Sequence, residues 1–139
     1  MNNNTTDTLA ALDLLIGTWR YGGELKGEST FSWLPGRQFL LQAGTLTLAG
    51  ETHTSHEVIG HVKPFMGERA AEITSRAYTD TGDTLDYTWE LREGVLTIWG
   101  GERDSPAYCR ATLAADGNSM SGAWAWPGGG YSYTAERVR

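Results

Sequence analysis

Apolar and polar residues alternate along much of this chain. In the segment DTLDYTWELREG (83–94), every second residue from Leu85 to Leu91 is apolar, and the residues between them are polar. A period of two with one apolar face is typical of an antiparallel strand that is buried on one side. The pattern therefore predicts a half-buried strand here, with Tyr87 and Trp89 on its inner face.

Similar segments recur along the chain and are separated by glycine-rich turns such as LPGR, REGV and PGGG. Together they predict ten strands, near 18–25, 27–34, 38–49, 54–62, 70–78, 84–91, 94–101, 107–114, 119–126 and 130–138. So many short strands joined by tight turns predict an all-β, up-and-down antiparallel barrel, because closure removes the unpaired edges of an open sheet. A barrel of this size can enclose one small ligand.

One segment, DTLAALDLLIG, has helical spacing instead. Asp7 or Thr8 is a suitable N-cap and Gly17 a suitable stop signal. The spacing places four apolar residues on one side: Leu9, Leu12, Leu15 and Ile16. We expect this short helix to close one end of the barrel, residues 1–7 to be disordered, and the whole chain (1–139) to form one domain.

Composition and charge narrow the classes of partner. The chain has 139 residues and a formal net charge of −6, and an acidic protein does not attract phosphate backbones or anionic lipid. We therefore expect neither nucleic acid nor a membrane as a partner, and the sequence does not decide whether a homodimer forms. Cys109 is the single cysteine, which is consistent with a reducing compartment and with a buried structural thiol. The polar N-terminus has no signal-peptide pattern, so a cytoplasmic location is expected.

The order of the motifs supports the barrel. The helix is followed by Gly17-Thr18-Trp19 and then by the long series of strands, an arrangement that resembles the lipocalin and fatty-acid-binding (calycin) superfamily. The fragments GTWRYGG, GESTFSWLPGRQFLLQ, SHEVIGH and ADGNSMSGAWAW are similar to a family of uncharacterised lipocalin-like bacterial proteins, from about residue 12 onwards. The resemblance implies a barrel floor in which an arginine of the last strand packs over Trp19. Arg137 is the matching residue, and Arg139 is a second candidate.

Haem and metal are not expected. The nitrobindin family also begins with Gly-x-Trp and holds its haem through a histidine near the C-terminus. This chain departs from that pattern, since its only histidines are His53, His56 and His61. On a strand, His53 and His61 share a face with Glu57 and are far apart, while His56 points the other way. No cofactor and no metal site are predicted.

Aromatic residues are the clearest sign of a binding site. The chain has six tryptophans and six tyrosines, and their flat faces and polar handles suit ring-containing ligands. From the alternation we expect six of them to line the cavity: Trp33, Tyr87, Trp89, Trp99, Trp124 and Tyr133. His56 or Arg110 is expected to orient a polar end of the ligand. Arg110 shares a face with Tyr108 and Thr112, and that face can be interior or exterior.

Three functions are compatible with these features. The first is binding of a small hydrophobic or aromatic molecule inside the barrel. The second is a cofactor-independent cyclase or isomerase of a natural-product pathway that uses the same cavity, with no catalytic residue assigned. The third is a structural or interaction module whose barrel is filled by its own side chains.

Overall fold

Ten segments of alternating apolar and polar residues form ten antiparallel strands in the computed structural model, which describes residues 9–138. The strands are β1 (Gly17–Gly23), β2 (Leu25–Trp33), β3 (Phe39–Leu48), β4 (Glu51–Gly60), β5 (Ile73–Thr79), β6 (Thr84–Arg92), β7 (Val95–Gly100), β8 (Tyr108–Leu113), β9 (Ser119–Trp126) and β10 (Gly129–Val138). Each strand pairs with its neighbours in sequence, and β1 also pairs with β10, so the sheet closes into a barrel. The predicted up-and-down barrel is confirmed.

The predicted helix forms a short 3-10 helix over Leu9–Leu15. Its buried residues are Leu9, Leu12 and Leu15, and a spacing of three matches the three residues per turn of this helix type. The leucines pack into the hydrophobic core at the end of the barrel where β1 begins. The proposed caps, Asp7 and Thr8, lie outside the described residues. In the described part of the chain, no helix has the length and apolar character needed to cross a membrane.

The up-and-down order gives the barrel two different ends. The helix end carries the N-terminal helix and the connections β2–β3, β4–β5, β6–β7 and β8–β9. The opposite end carries the other five connections, which include the turn 80–83 and the loop 101–107. The fully buried side chains Trp19, Leu40 and Ile59 belong to the helix end, so the core is densest there.

The connection between β4 and β5 is longer than the sequence pattern predicted. Strand β5 begins at Ile73 rather than near residue 70, and His61 follows the end of β4. The His61 side chain is buried, and its Nδ1 lies 2.9 Å from the carbonyl oxygen of Ala70 and 3.1 Å from that of Glu72. His61 thus holds the two ends of this connection together. Pro64 lies within it, and proline cannot donate to a strand ladder.

Candidate functional site

The helix end is closed by Trp19 and Arg137, the two residues assigned to the barrel floor. Trp19 is fully buried, and its indole Nε1 donates to the carbonyl oxygen of Leu15 at 2.9 Å. The guanidinium carbon of Arg137 lies 4.4 Å from the centre of the indole ring. Arg137 also donates to three main-chain carbonyl oxygens, those of Leu14, Ile16 and Gly117. Arg139, the second candidate, lies outside the described residues.

Above this floor, the barrel encloses a cavity of about 190 Å³. Four of the residues predicted from the sequence line it: Tyr87, Trp89, Trp124 and Tyr133. Most of the remaining wall is apolar or aromatic and includes Tyr21, Leu25, Phe31, Leu46, Leu96, Ile98, Met120 and Tyr131. Its other polar side chains are Gln42, Ser55, Glu57 and Thr79. The cavity is therefore an apolar, aromatic chamber with few polar groups, which is the usual character of a small-molecule site.

The cavity opens at the end opposite the helix. Lining residues near the helix end are buried, for example Trp89, which is 3 % exposed, and Met120, which is 5 % exposed. Leu85, at the start of β6, is 44 % exposed. The lining residues Trp124 and Tyr131, near the β9–β10 turn, are half-buried. The opening of the cavity lies between these three residues.

Two predicted tryptophans lie outside the cavity, which corrects the expectation that they line it. Trp33 is the last residue of β2, so it reaches the helix end, where its Nε1 donates to Asp13 at 2.8 Å. Trp99 points outward, because Leu96 and Ile98 are the β7 residues that face the cavity. Trp99 is buried all the same, since Arg103 covers its ring at 4.6 Å.

The two candidate polar anchors also lie outside the cavity. His56 is exposed on the outer face of β4, beside Thr54 and Thr45. Arg110 is exposed on the outer face of β8 and lies 5.2 Å over the ring of Tyr108. In both strands the neighbouring residue takes the inward position, which is the one-residue inversion that a strand's period of two permits. Neither His56 nor Arg110 contacts the chamber.

The polar anchor of the chamber is Glu57, which sequence reasoning missed. Glu57 lies on the inner face of β4 and is 8 % exposed. The Ser75 hydroxyl donates to Glu57 Oε2 at 2.5 Å, and the Trp89 Nε1 donates to Ser75 Oγ at 2.9 Å. The Gln42 amide nitrogen lies 3.4 Å from Glu57 Oε1. These contacts hold the carboxyl group in one place in the wall.

The direction of these hydrogen bonds is fixed by their donors. An indole N–H can only donate, so Ser75 Oγ accepts from Trp89 and gives its own proton to Glu57 Oε2. Oε2 is therefore already occupied as an acceptor. Oε1 has only the long contact from Gln42 and keeps its capacity for a proton or for a donor from a ligand.

Burial controls the electrostatics of the chamber. It raises the pKa of the Glu57 carboxyl above its usual range, and hydrogen bonds from Ser75 and Trp89 offset this only in part. Burial and the nearby Glu57 carboxyl raise the pKa of Tyr87 to about 12. Among the described residues that line the cavity there is no lysine, arginine or histidine. Within the described lining, the carboxyl group thus has no basic partner.

Cys109 and Tyr133 form a second polar contact, which is buried inside the barrel. The Cys109 sulfur lies 3.2 Å from the Tyr133 hydroxyl, and burial raises the thiol pKa to about 11. Gly122 makes room for the Tyr133 ring, since a Cβ atom at this position would lie 2.9 Å from the Tyr133 hydroxyl and 2.7 Å from the Ala111 Cβ. Cys109 is therefore a buried thiol that is held in its protonated form, as expected for a structural cysteine.

The three histidines do not form a metal site. His53 lies near the opposite end of β4 from His61, where its Nδ1 contacts Asp80 at 3.1 Å, and His56 is on the outer face. Across residues 9–138, no three His, Cys, Asp or Glu side chains converge on one point. Comparison of the chain with family models and with curated proteins gave no match. The functional argument therefore rests on the chamber.

Proposed function

We propose that this protein binds a small hydrophobic or aromatic molecule inside the barrel. The observation that carries the proposal is the chamber of about 190 Å³, which is lined by aromatic side chains and opens at one end. An apolar cavity of about 150 Å³ is enough to hold a benzene molecule. The chamber therefore has room for one ring with a short substituent.

Membership of a lipocalin-like family is part of this proposal. Two observations support it: the Gly17-Thr18-Trp19 motif begins β1, and Arg137 of β10 stacks on Trp19 at the barrel floor. A cytoplasmic location stays a prediction. The third candidate, a barrel filled by its own side chains, disagrees with the open chamber.

Ligand binding can be tested with a pair of matched variants. Titration of the purified protein with neutral ring compounds such as 2-phenylethanol and indole should raise the melting temperature, and Trp89 and Trp124 should report binding through their fluorescence. Ala77 lines the chamber, so Ala77→Leu should fill part of it and weaken binding. Ala123 is exposed on β9, so Ala123→Leu should bind like the unaltered protein. No shift with any ring compound would contradict the proposal.

A second candidate function is proton transfer on a bound substrate, as in a cofactor-independent isomerase or cyclase. The hydrogen-bonded Glu57 in an apolar wall favours it, because general acid–base catalysis uses carboxyl groups whose pKa is raised towards neutral pH. Glu57 Oε1 would accept a proton from a carbon beside a carbonyl group, the C–H electron pair would form an enolate of the substrate, and the carboxyl group would return the proton to another carbon of that enolate. Deuterium exchange at the carbons beside the carbonyl of phenylacetone in D₂O tests this. Exchange should be faster with the unaltered protein than with Glu57→Gln, and equal rates would contradict the catalytic role.

A further inference from the structure

We propose that the preferred ligand is an organic cation: a single-ring molecule with a short amino substituent, whose ammonium group pairs with Glu57 Oε1. This inference rests on the proposed function, since it names the class of ligand that the same chamber binds.

The first argument is the missing partner of Glu57. A buried ionised carboxylate is costly unless a cation or several donors compensate for it. The chamber supplies one short donor, the Ser75 hydroxyl at 2.5 Å, a long contact from Gln42 at 3.4 Å and a weaker contribution from the Trp89 indole N–H. No lysine, arginine or histidine belongs to the described lining. A ligand with a positive charge would complete the ion pair that the protein leaves open.

The second argument is the free acceptor capacity of this carboxyl group. Ser75 donates to Oε2, while Ser75 Oγ itself accepts from the Trp89 indole N–H. Oε1 faces a contact that is too long to satisfy it. An ammonium group has three donors and no acceptor, so it matches Oε1 of the ionised carboxylate.

The third argument is the aromatic wall around the carboxyl group. Tyr21, Tyr87 and Trp89 line the chamber together with Glu57, and Tyr87 packs against Trp124 with ring centres 5.8 Å apart. Aromatic faces attract cations, and the attraction is larger where water is excluded. The same rings provide the apolar surface for the ring of the ligand. Carboxyl group and rings together favour an aromatic amine over a purely apolar molecule.

The fourth argument is discrimination against anions. A fatty acid or an aromatic acid would bring a second carboxylate into a chamber whose described lining residues include no basic one. The formal net charge of −6 adds a long-range repulsion of the same sign. Anionic ligands are therefore expected to be rejected.

The test compares three ligands of nearly equal shape: 2-phenylethylamine, 2-phenylethanol and phenylacetate. Calorimetric titration of the intact protein should give the amine an affinity about tenfold higher than that of the alcohol, because a charged hydrogen bond is stronger than a neutral one. Phenylacetate should bind most weakly. If the alcohol binds as tightly as the amine, the chamber is a binding site and the inference about cations is wrong. If none of the three binds, the proposed function fails with it.

Two matched variants locate the charge that is responsible. Glu57→Gln removes the buried carboxylate and should abolish the preference for the amine, while binding of 2-phenylethanol is retained. Glu136→Gln removes the same charge from the exposed face of β10 and should leave the preference unchanged. Equal loss of preference in both variants would show a general effect of net charge and would overturn the assignment to Glu57. The ligand series on the unaltered protein remains decisive if Glu57→Gln does not fold.

Discussion

Arg137 is expected to be the most important single polar contributor to the stability of the barrel. Its guanidinium joins β10 to the N-terminal helix and to the β8–β9 turn, and it stacks on Trp19. Four acceptors receive its N–H groups: the carbonyl oxygens of Leu14, Ile16 and Gly117, and the side-chain oxygen of Asn118. We therefore choose Arg137→Met, which keeps an apolar stem over the indole and removes every donor.

The size of the effect follows from these contacts. A hydrogen bond contributes a net stabilisation of roughly 1 kcal/mol, and a cation–π contact roughly 0.5–1 kcal/mol at a partly exposed site. Water can replace part of this, because the hydrogen bond to Leu14 lies at the exposed edge of the group. The expected loss in the free energy of unfolding is about 3 kcal/mol, since individual contributions are not fully additive. For a chain of this length that corresponds to a fall in Tm of roughly 10 °C.

Urea denaturation followed by tryptophan fluorescence measures this loss, with an unchanged m value as evidence for an unchanged native fold. The control is Arg20→Met, because Arg20 forms an exposed ion pair with Glu28 on the outer face of the barrel. Exposed pairs contribute roughly 0–1 kcal/mol, so this variant should stay close to the unaltered protein. A loss below about 1 kcal/mol for Arg137→Met, or equal losses for both variants, would refute the reasoning.

Three further predictions concern burial and charge. Because burial raises the pKa of Glu57 in the folded state, the native protein binds a proton more tightly than the unfolded chain, so unfolding free energy should fall as pH rises from the unfolded pKa towards the folded one. This decrease is at most about 1.4 kcal/mol per pH unit. Urea titrations between pH 4 and 8 should show the decrease in the unaltered protein and not in Glu57→Gln. Cys109, with a thiol pKa of about 11, should react with iodoacetamide at pH 8 roughly a hundredfold more slowly than glutathione, and unfolding in urea should remove the difference. Arg103→Met should destabilise by about 1 kcal/mol, because Arg103 makes half-exposed ion pairs and covers Trp99; a loss above about 3 kcal/mol in the same urea assay would contradict this.

Strand positions could be predicted because apolar and polar residues alternate regularly in strands that bury one face. In β6 the apolar residues lie at every second position, and Tyr87 and Trp89 line the chamber as the pattern indicated. In β10, every second residue likewise points inward, which places Tyr133 in the wall of the chamber and Arg137 at the barrel floor. The helix type was not evident from the sequence, since spacings of three and four both fit the leucines of so short a segment.

His56 and Arg110 were wrongly predicted to orient the polar end of a ligand, for two different physical reasons. In β4 the adjacent apolar residues Val58 and Ile59 fit either face, so alternation could not decide whether His56 or Glu57 points inward. In β8 the signal was present, because Cys109 and Ala111 form a consistent small apolar face that requires Arg110 to point outward.

Glu57 has no local signal that separates it from an ordinary surface carboxylate, since its environment is made by other strands. Ser75 and Trp89 come from β5 and β6, and Gln42 from β3, and only the register of the closed barrel brings them to one carboxyl group. The same register determines what the site can recognise. A barrel with His56 inward would present an imidazole to its ligand, whereas the observed parity presents a carboxyl group that has no basic partner among the described lining residues. A one-residue difference in strand phase therefore decides whether a basic imidazole or an acidic carboxyl group lines the chamber.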